Sequence, residues 1–204
     1  MYERTDDFKL FSKGSLSDNF LSVKTKNIKS QIEELPDKKI LEMHEERVVE
    51  LFYKEYYVQP LEIDAENVKK HLYEKMINGD DFPSARYSHG LDPKKSYPVK
   101  VVVYCLPFTG NADLFYYAPS KRLMGVFDPY KKESFVCFEI EVFSKDAKTV
   151  KNEFSSMISN LKKQIEYTNN EVAQHNNTLE GTIKDIFKSR KDRAIENKKF
   201  LEEL

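Results

Sequence analysis

Asp128-Pro129 and the alternating pair Glu139-x-Glu141 are the carboxylates whose spacing comes nearest to hydrolytic chemistry. Acidic residues at the end of one strand and along the next can hold Mg²⁺ and bring a phosphate to an activated water. Asp128, Glu139 and Glu141 are therefore the candidate catalytic residues of a metal-dependent nuclease or other hydrolase. A restriction-type nuclease would carry a lysine where Glu141 stands, to stabilise charge developing on the phosphate. Alternating glutamates are also what the solvated face of a strand looks like.

The other reactive side chains are dispersed. His44, His71, His89 and His175 have no second histidine or cysteine at ligand spacing, and His44-Glu45-Glu46 departs from a zinc-protease helix because Val48 occupies the place of the second histidine. Cys105 and Cys137 both fall in strand-like apolar runs, where a free thiol behaves as a small buried hydrophobe. Nucleophilic work by Cys105 would need a histidine delivered from elsewhere in the fold. No phosphate loop or nucleophile elbow is present, and six glycines in the whole chain leave little for a backbone phosphate cradle. The expectation is no metal and no cofactor.

A basic run near the end, with Lys188, Arg190, Lys191 and Arg193, is the candidate nucleic-acid contact, since such a face would neutralise phosphates. The plainer reading is a solvated, salt-bridged helix end. Two aromatic clusters, Phe52-Tyr53-Lys54-Glu55-Tyr56-Tyr57 and Leu114-Phe115-Tyr116-Tyr117, suit either an interaction surface or the edge of a core.

Helices come first among the elements that must position these residues. From Ser17, Leu21, Ile28, Ile32 and Leu35 fall on one helical face, and Pro36 ends it. A second helix is predicted from Asp37 to about Tyr56, so that 17–56 forms a helical hairpin. After Pro60, Leu61-Glu62-Ile63 is a short strand, and Asp64 caps a third predicted helix over 65–77. Gly79, Pro83, Gly90, Pro93 and Pro98 make 78–98 a long loop.

The sheet is expected over 99–143. Val99 to Leu106 is a β-branched run, Leu114 to Ala118 and Leu123 to Phe127 are short strand candidates, and Phe135 to Phe143 alternates. In that last run Phe138, Ile140 and Val142 share one face, with Glu139 and Glu141 on the other. The fold class is α+β, a small mainly antiparallel sheet packed by N-terminal helices and followed by a long C-terminal helix or helical hairpin. Residues 1–143 form the α+β domain and 144–204 the helical assembly segment.

That segment carries a heptad stripe. Ile158, Ile165, Val172, Leu179 and Ile186 recur every seventh residue, with Phe154, Leu161, Thr168, His175 and Thr182 on the second seam. An unbroken helix here would be on the order of 90 Å long. Asn169-Asn170, Asn176-Asn177 and Gly181 lower helix propensity in its middle and leave a kink or hairpin open. The polar second seam favours a multi-helix bundle over a plain two-stranded zipper. Ile158, Leu161, Ile165, Val172, Leu179 and Ile186 are the candidate interface, for a homo-oligomer or a helical protein partner.

Composition narrows the setting. With 33 basic and 34 acidic residues in 204, the net charge of −1 exerts no general pull on nucleic acid or membrane. Charged residues near the start occupy the place of a signal peptide's apolar core, and no run approaches the roughly 20 apolar residues of a membrane span. A cytoplasmic protein is expected, with no membrane partner.

Leu106-Pro107-Phe108-Thr109-Gly110, Leu114-Phe115, Pro119-Ser120, Asn177-x-Leu179 and Arg190-Lys191-x-Arg193 together resemble an uncharacterised module of bacterial proteins, over about 99–193. That module forms the front part of larger chains of the anti-phage-defence type. The resemblance implies a component of a bacterial defence system whose effector activity, since this chain ends at Leu204, would reside on a separate polypeptide. It carries over no catalytic residue. The function expected is a non-enzymatic self-associating or partner-docking protein, with the hydrolase and a nucleic-acid-binding accessory factor as alternatives.

Overall fold

The computed structural model describes residues 9–82, 90–123, 128–143 and 145–204. Helices α1 (Ser22–Glu33), α2 (Asp37–Glu42) and α3 (Glu45–Tyr56) precede strands β1 (Glu62–Ile63), β2 (Lys69–Asn78), β3 (Ser96–Thr109), β4 (Tyr130–Lys132) and β5 (Phe135–Glu141), and α4 (Ala147–Glu202) closes the chain. The class is α+β. No helix among the described residues is long and apolar enough to cross a membrane. Two compact units share the chain. One contains Leu61–Gly110 and Leu123–Ile165, the other Phe11–Pro60, Asn111–Arg122 and Glu166–Leu204.

In the first unit an antiparallel sheet runs β1-β3-β5-β4, with β2 on β3. The 14-residue β3 is its spine, pairing with β2 from Lys69↔Cys105 to Asn78↔Ser96 and with β5 from Val101↔Glu141 to Pro107↔Phe135. Its β-branched run is buried on alternate positions, Val99, Val101 and Val103. Tyr104 and Phe138, on the opposite face, meet Phe154 of α4, with the Tyr104 and Phe154 rings stacked at 3.7 Å. A two-residue turn joins β4 to β5, and Glu133 in it holds a φ of 51°, a region that favours glycine.

The predicted helix over 65–77 is a correction. Residues 69–78 form β2 instead, although Lys, Leu, Glu and Met are good helix formers. Ladder pairing with β3 along the whole strand outweighs that local preference. Leu114 to Ala118 also differs from its expected strand, since Ala112–Phe115 is a 3₁₀ turn started by the Asn111 side chain accepting from the Asp113 N–H. The strand candidate 123–127 lies, apart from Leu123, outside the described residues, as does His89.

In the second unit the expected second helix over 37–56 is broken. Met43 and His44 take extended ψ values of 141° and 133°, which separates α2 from α3. Ile28, Ile32, Ile40, Val48, Phe52 and Tyr56 then pack with Leu179, Ile183, Phe187 and Ala194 of α4. Helix α4 runs unbroken for 56 residues, through Asn176 and Gly181.

Candidate functional site

Strand alternation sorts the sheet's chemistry onto one face. Lys69, His71, Tyr73 and Lys75 of β2 stand in register with Cys105, Val103, Val101 and Val99, and these in turn with Cys137, Glu139 and Glu141 of β5. Glu139 and Glu141 thus face the side away from Phe138 and Ile140, as their alternation predicts. They are not simply a solvated face, because both are half-buried and engaged from β2.

The Tyr73 hydroxyl donates to Glu139 Oε2 at 3.1 Å, while Glu139 Oε1 is buried without a hydrogen-bond partner. Burial and the neighbouring Glu139 charge push the Tyr73 phenol up to about 12, so it stays a neutral donor. Lys75 Nζ lies 3.4 Å from Glu141 Oε1. A lysine does stand beside Glu141, but it comes from β2 and neutralises the carboxylate. Asp128 is exposed, and the β4–β5 ladder begins only at Tyr130. Among the described residues no group of three histidine, cysteine or acidic side chains is gathered closely enough to hold a metal ion. The three candidate catalytic carboxylates are therefore not brought into one metal-holding cluster.

The same face joins the two cysteines. Cys105 and Cys137 are direct partners in the β3–β5 ladder and form a disulfide, which corrects the expectation of free thiols. A cavity of about 410 Å³ opens there, lined by the disulfide with Lys69, His71, Lys132, Glu133 and Phe135. Lys69 Nζ sits 4.3 Å from the centre of the Phe135 ring.

The opposite face leaves β2 partly bare. Leu72 and Met76 are 64% and 61% exposed, although they sit on a strand of ten residues. On the same face a groove of about 490 Å³, which Leu72 and Met76 do not line, has Val68, Tyr104, Phe154 and Ile158 among its apolar walls, with Lys70, Lys151 and Glu66 also lining it. Lys70 Nζ lies 5.9 Å from the centre of the Tyr104 ring.

The heptad stripe serves the fold. Leu161, Ile165, Val172 and Leu179 are buried and Ile158 and Ile186 half-buried, so the candidate interface is covered within a single copy of the chain. The basic run is used in the same way. Arg190 is 9% exposed and donates to the Leu35 carbonyl at 2.7 Å and to Asp37 Oδ1 at 2.5 Å. Lys191 donates to the Met43 carbonyl at 3.0 Å, and Arg193 forks onto both oxygens of Glu33. Of the four candidate nucleic-acid contacts, only Lys188 has no such tie shown; it is exposed. The aromatic clusters are mostly packed as well: Phe52 stacks on Tyr56, while Tyr53 meets Tyr57 and Phe20 meets Tyr117 as tilted pairs.

Sequence reasoning missed Tyr73, Lys75 and the cysteine pairing. The first two were hidden by a helix-like composition, although His71 and Tyr73 alternate with Leu72 and Glu74 as a strand would. No local signal pairs Cys105 with Cys137. Compared with known proteins, the chain matches no family model, no curated protein and no solved structure.

Proposed function

We propose that this chain is a non-enzymatic partner-docking protein, which takes up an extended acidic segment of another protein along the outer edge of β2. The carrying observation is that β2, a ten-residue strand, pairs only with β3 among the described residues and displays Leu72 and Met76 to water. An edge of that length is a template for strand addition, in which main-chain hydrogen bonds supply affinity and alternate side chains supply specificity. The groove walled by Tyr104 and Phe154 adds apolar surface on the same face, reaching β2 at Lys70.

Charge selects the occupant. Lys75 is already paired with Glu141, and Lys69 and Lys70 stand against Glu74, so β2 keeps a net +1 from its lysines and glutamate. Two copies of this edge repel each other, whereas an acidic strand is attracted. A homo-oligomer and a helical partner are thereby the less favoured occupants, and burial of the α4 stripe weakens both further. In the same reading the protein works in the cytoplasm as a component of a bacterial defence system, the setting implied by its resemblance to defence-type modules.

A labelled peptide of alternating glutamate and valine, as long as β2, is the probe. Fluorescence anisotropy is expected to show saturable binding that weakens with salt and is lost in Leu72→Glu/Met76→Glu, with a lysine-valine peptide not binding. Equal binding of the two peptides, or none, overturns the reading. So do concentration-dependent dimers in light scattering that the acidic peptide fails to dissociate.

A further inference from the structure

Two cysteines are all this chain has, and the ladder sets them directly opposite each other. A disulfide at that point adds little that the strands lack. Seven register pairs from Val101↔Glu141 to Pro107↔Phe135 already hold β3 to β5, and Val103 and Tyr130 pack around the bond. The bond is also not sealed in. It forms part of the wall of a cavity of about 410 Å³, large enough for a small peptide-like thiol.

The cavity's charge is uneven. Lys69 from β2 and Lys132 from β4 line it against the single acid Glu133, with His71 beside them. Cationic neighbours attract an anionic thiol and stabilise the thiolate that exchange releases. Phe135, under the Lys69 ammonium, gives the wall an apolar patch. The two sulfur-bearing residues differ in access: Cys105 is 5% exposed and Cys137 fully buried.

We infer that the Cys105–Cys137 pair and its cavity form a thiol–disulfide exchange site for a small anionic thiol. The ligand's thiolate attacks Cys105 Sγ. A bond forms between the two sulfurs as the protein's S–S bond breaks, and Cys137 leaves as a thiolate. A second ligand thiolate then attacks the ligand sulfur of the mixed disulfide, releasing the oxidised ligand dimer and leaving Cys105 as a thiolate. Two ligand thiols are oxidised to one disulfide while the protein disulfide is reduced to two thiols. Run backwards, the same steps re-form the bond with the ligand's own disulfide as oxidant.

The test uses the full chain with glutathione, an anionic thiol, and cysteamine, a cationic one, each normalised to its rate on a small-molecule disulfide. Glutathione is expected to react faster than its intrinsic reactivity allows. That advantage should fall about tenfold in Lys132→Gln, which removes one of the two lysines focusing the field. Lys132 lies on β4, away from the edge proposed for strand docking, so the two proposals fail separately. Mass spectrometry should find the trapped adduct on Cys105 and none on Cys137 in Cys105→Ser, with circular dichroism confirming the fold. If the isolated protein is already reduced, glutathione disulfide should oxidise it with the same charge preference. A bond that resists excess glutathione in the folded protein overturns the inference, as does a rate unchanged by Lys132→Gln.

Discussion

The Asn176 side chain closes a ring with the main chain of Val58: its Oδ1 accepts from the Val58 N–H at 3.1 Å and its Nδ2 donates to the Val58 carbonyl at 2.8 Å. Val58 is fully buried and lies in a stretch without helix or strand partners, so its peptide groups depend on this one amide. An asparagine that weakens a helix by propensity here satisfies a segment 118 residues away in sequence.

Asn176→Ala leaves a buried donor and a buried acceptor without partners. A loss of about 2–6 kcal/mol is expected, since each of the two orphaned groups costs about 1–3 kcal/mol. Urea unfolding checks this through a lower midpoint with an unchanged slope. Asn176→Asp, which sets a buried carboxylate oxygen against the Val58 carbonyl, should be at least as destabilising as alanine at neutral pH.

His175, one residue before, gives the second unit a pH dependence. Its Nε2 is buried without a hydrogen-bond partner, and burial, with the Lys24 charge adding to it, holds its pKa below the ordinary 6.5. The unfolded chain then binds a proton more readily than the folded one. Stability is full above pH 6.5 and declines as pH falls below it, until the folded imidazole itself protonates. Melting temperatures taken from about pH 7 to about pH 5 should show that slope in wild type and a flatter one in His175→Gln.

Asp37 adds a dependence of the same sign at lower pH. Hydrogen bonds from Asn197 and then Arg190 hold its carboxyl below the ordinary 3.8. Its contribution is present above that value and is lost as pH falls through the folded-state pKa. Asp37→Asn should therefore be less stable than wild type at neutral pH, with the difference closing in acid. A difference that persists unchanged to low pH would assign the effect to packing.

Gly181 lies inside α4, and a Cβ built on it meets nothing within 4 Å. Gly181→Ala should stabilise the protein by about 1 kcal/mol, chiefly through the unfolded chain's lower entropy. Thermal unfolding reads this directly, and a destabilised variant would mean that the position is needed free of a side chain.

Much of the architecture was legible because it is written in neighbours along the chain. The seven-residue recurrence from Ile158 to Ile186 marks one helix face, and the alternation from Phe135 to Glu141 marks a strand with its glutamates on one side. Composition was misleading where local preference and partner disagreed. Residues 69–78 carry helix formers, and only the complementary length of β3 made them a strand. The stripe on α4 was readable as something to be covered, but not what would cover it, because a buried Leu179 looks the same whether its neighbours are Ile28 and Phe52 or a second copy.

The candidate sites were the least legible part. Periodicity determined α4, β3, β5 and the α+β class, since helix and strand faces follow from spacing alone. Tertiary structure decided that Cys105 meets Cys137, that Lys75 rather than a residue of β5 neutralises Glu141, and that Arg190 and Arg193 are spent on Asp37 and Glu33. These are pairings across 32 to 160 residues. The physical reason is that a side chain's partner depends on ladder register and helix packing, which no local pattern encodes.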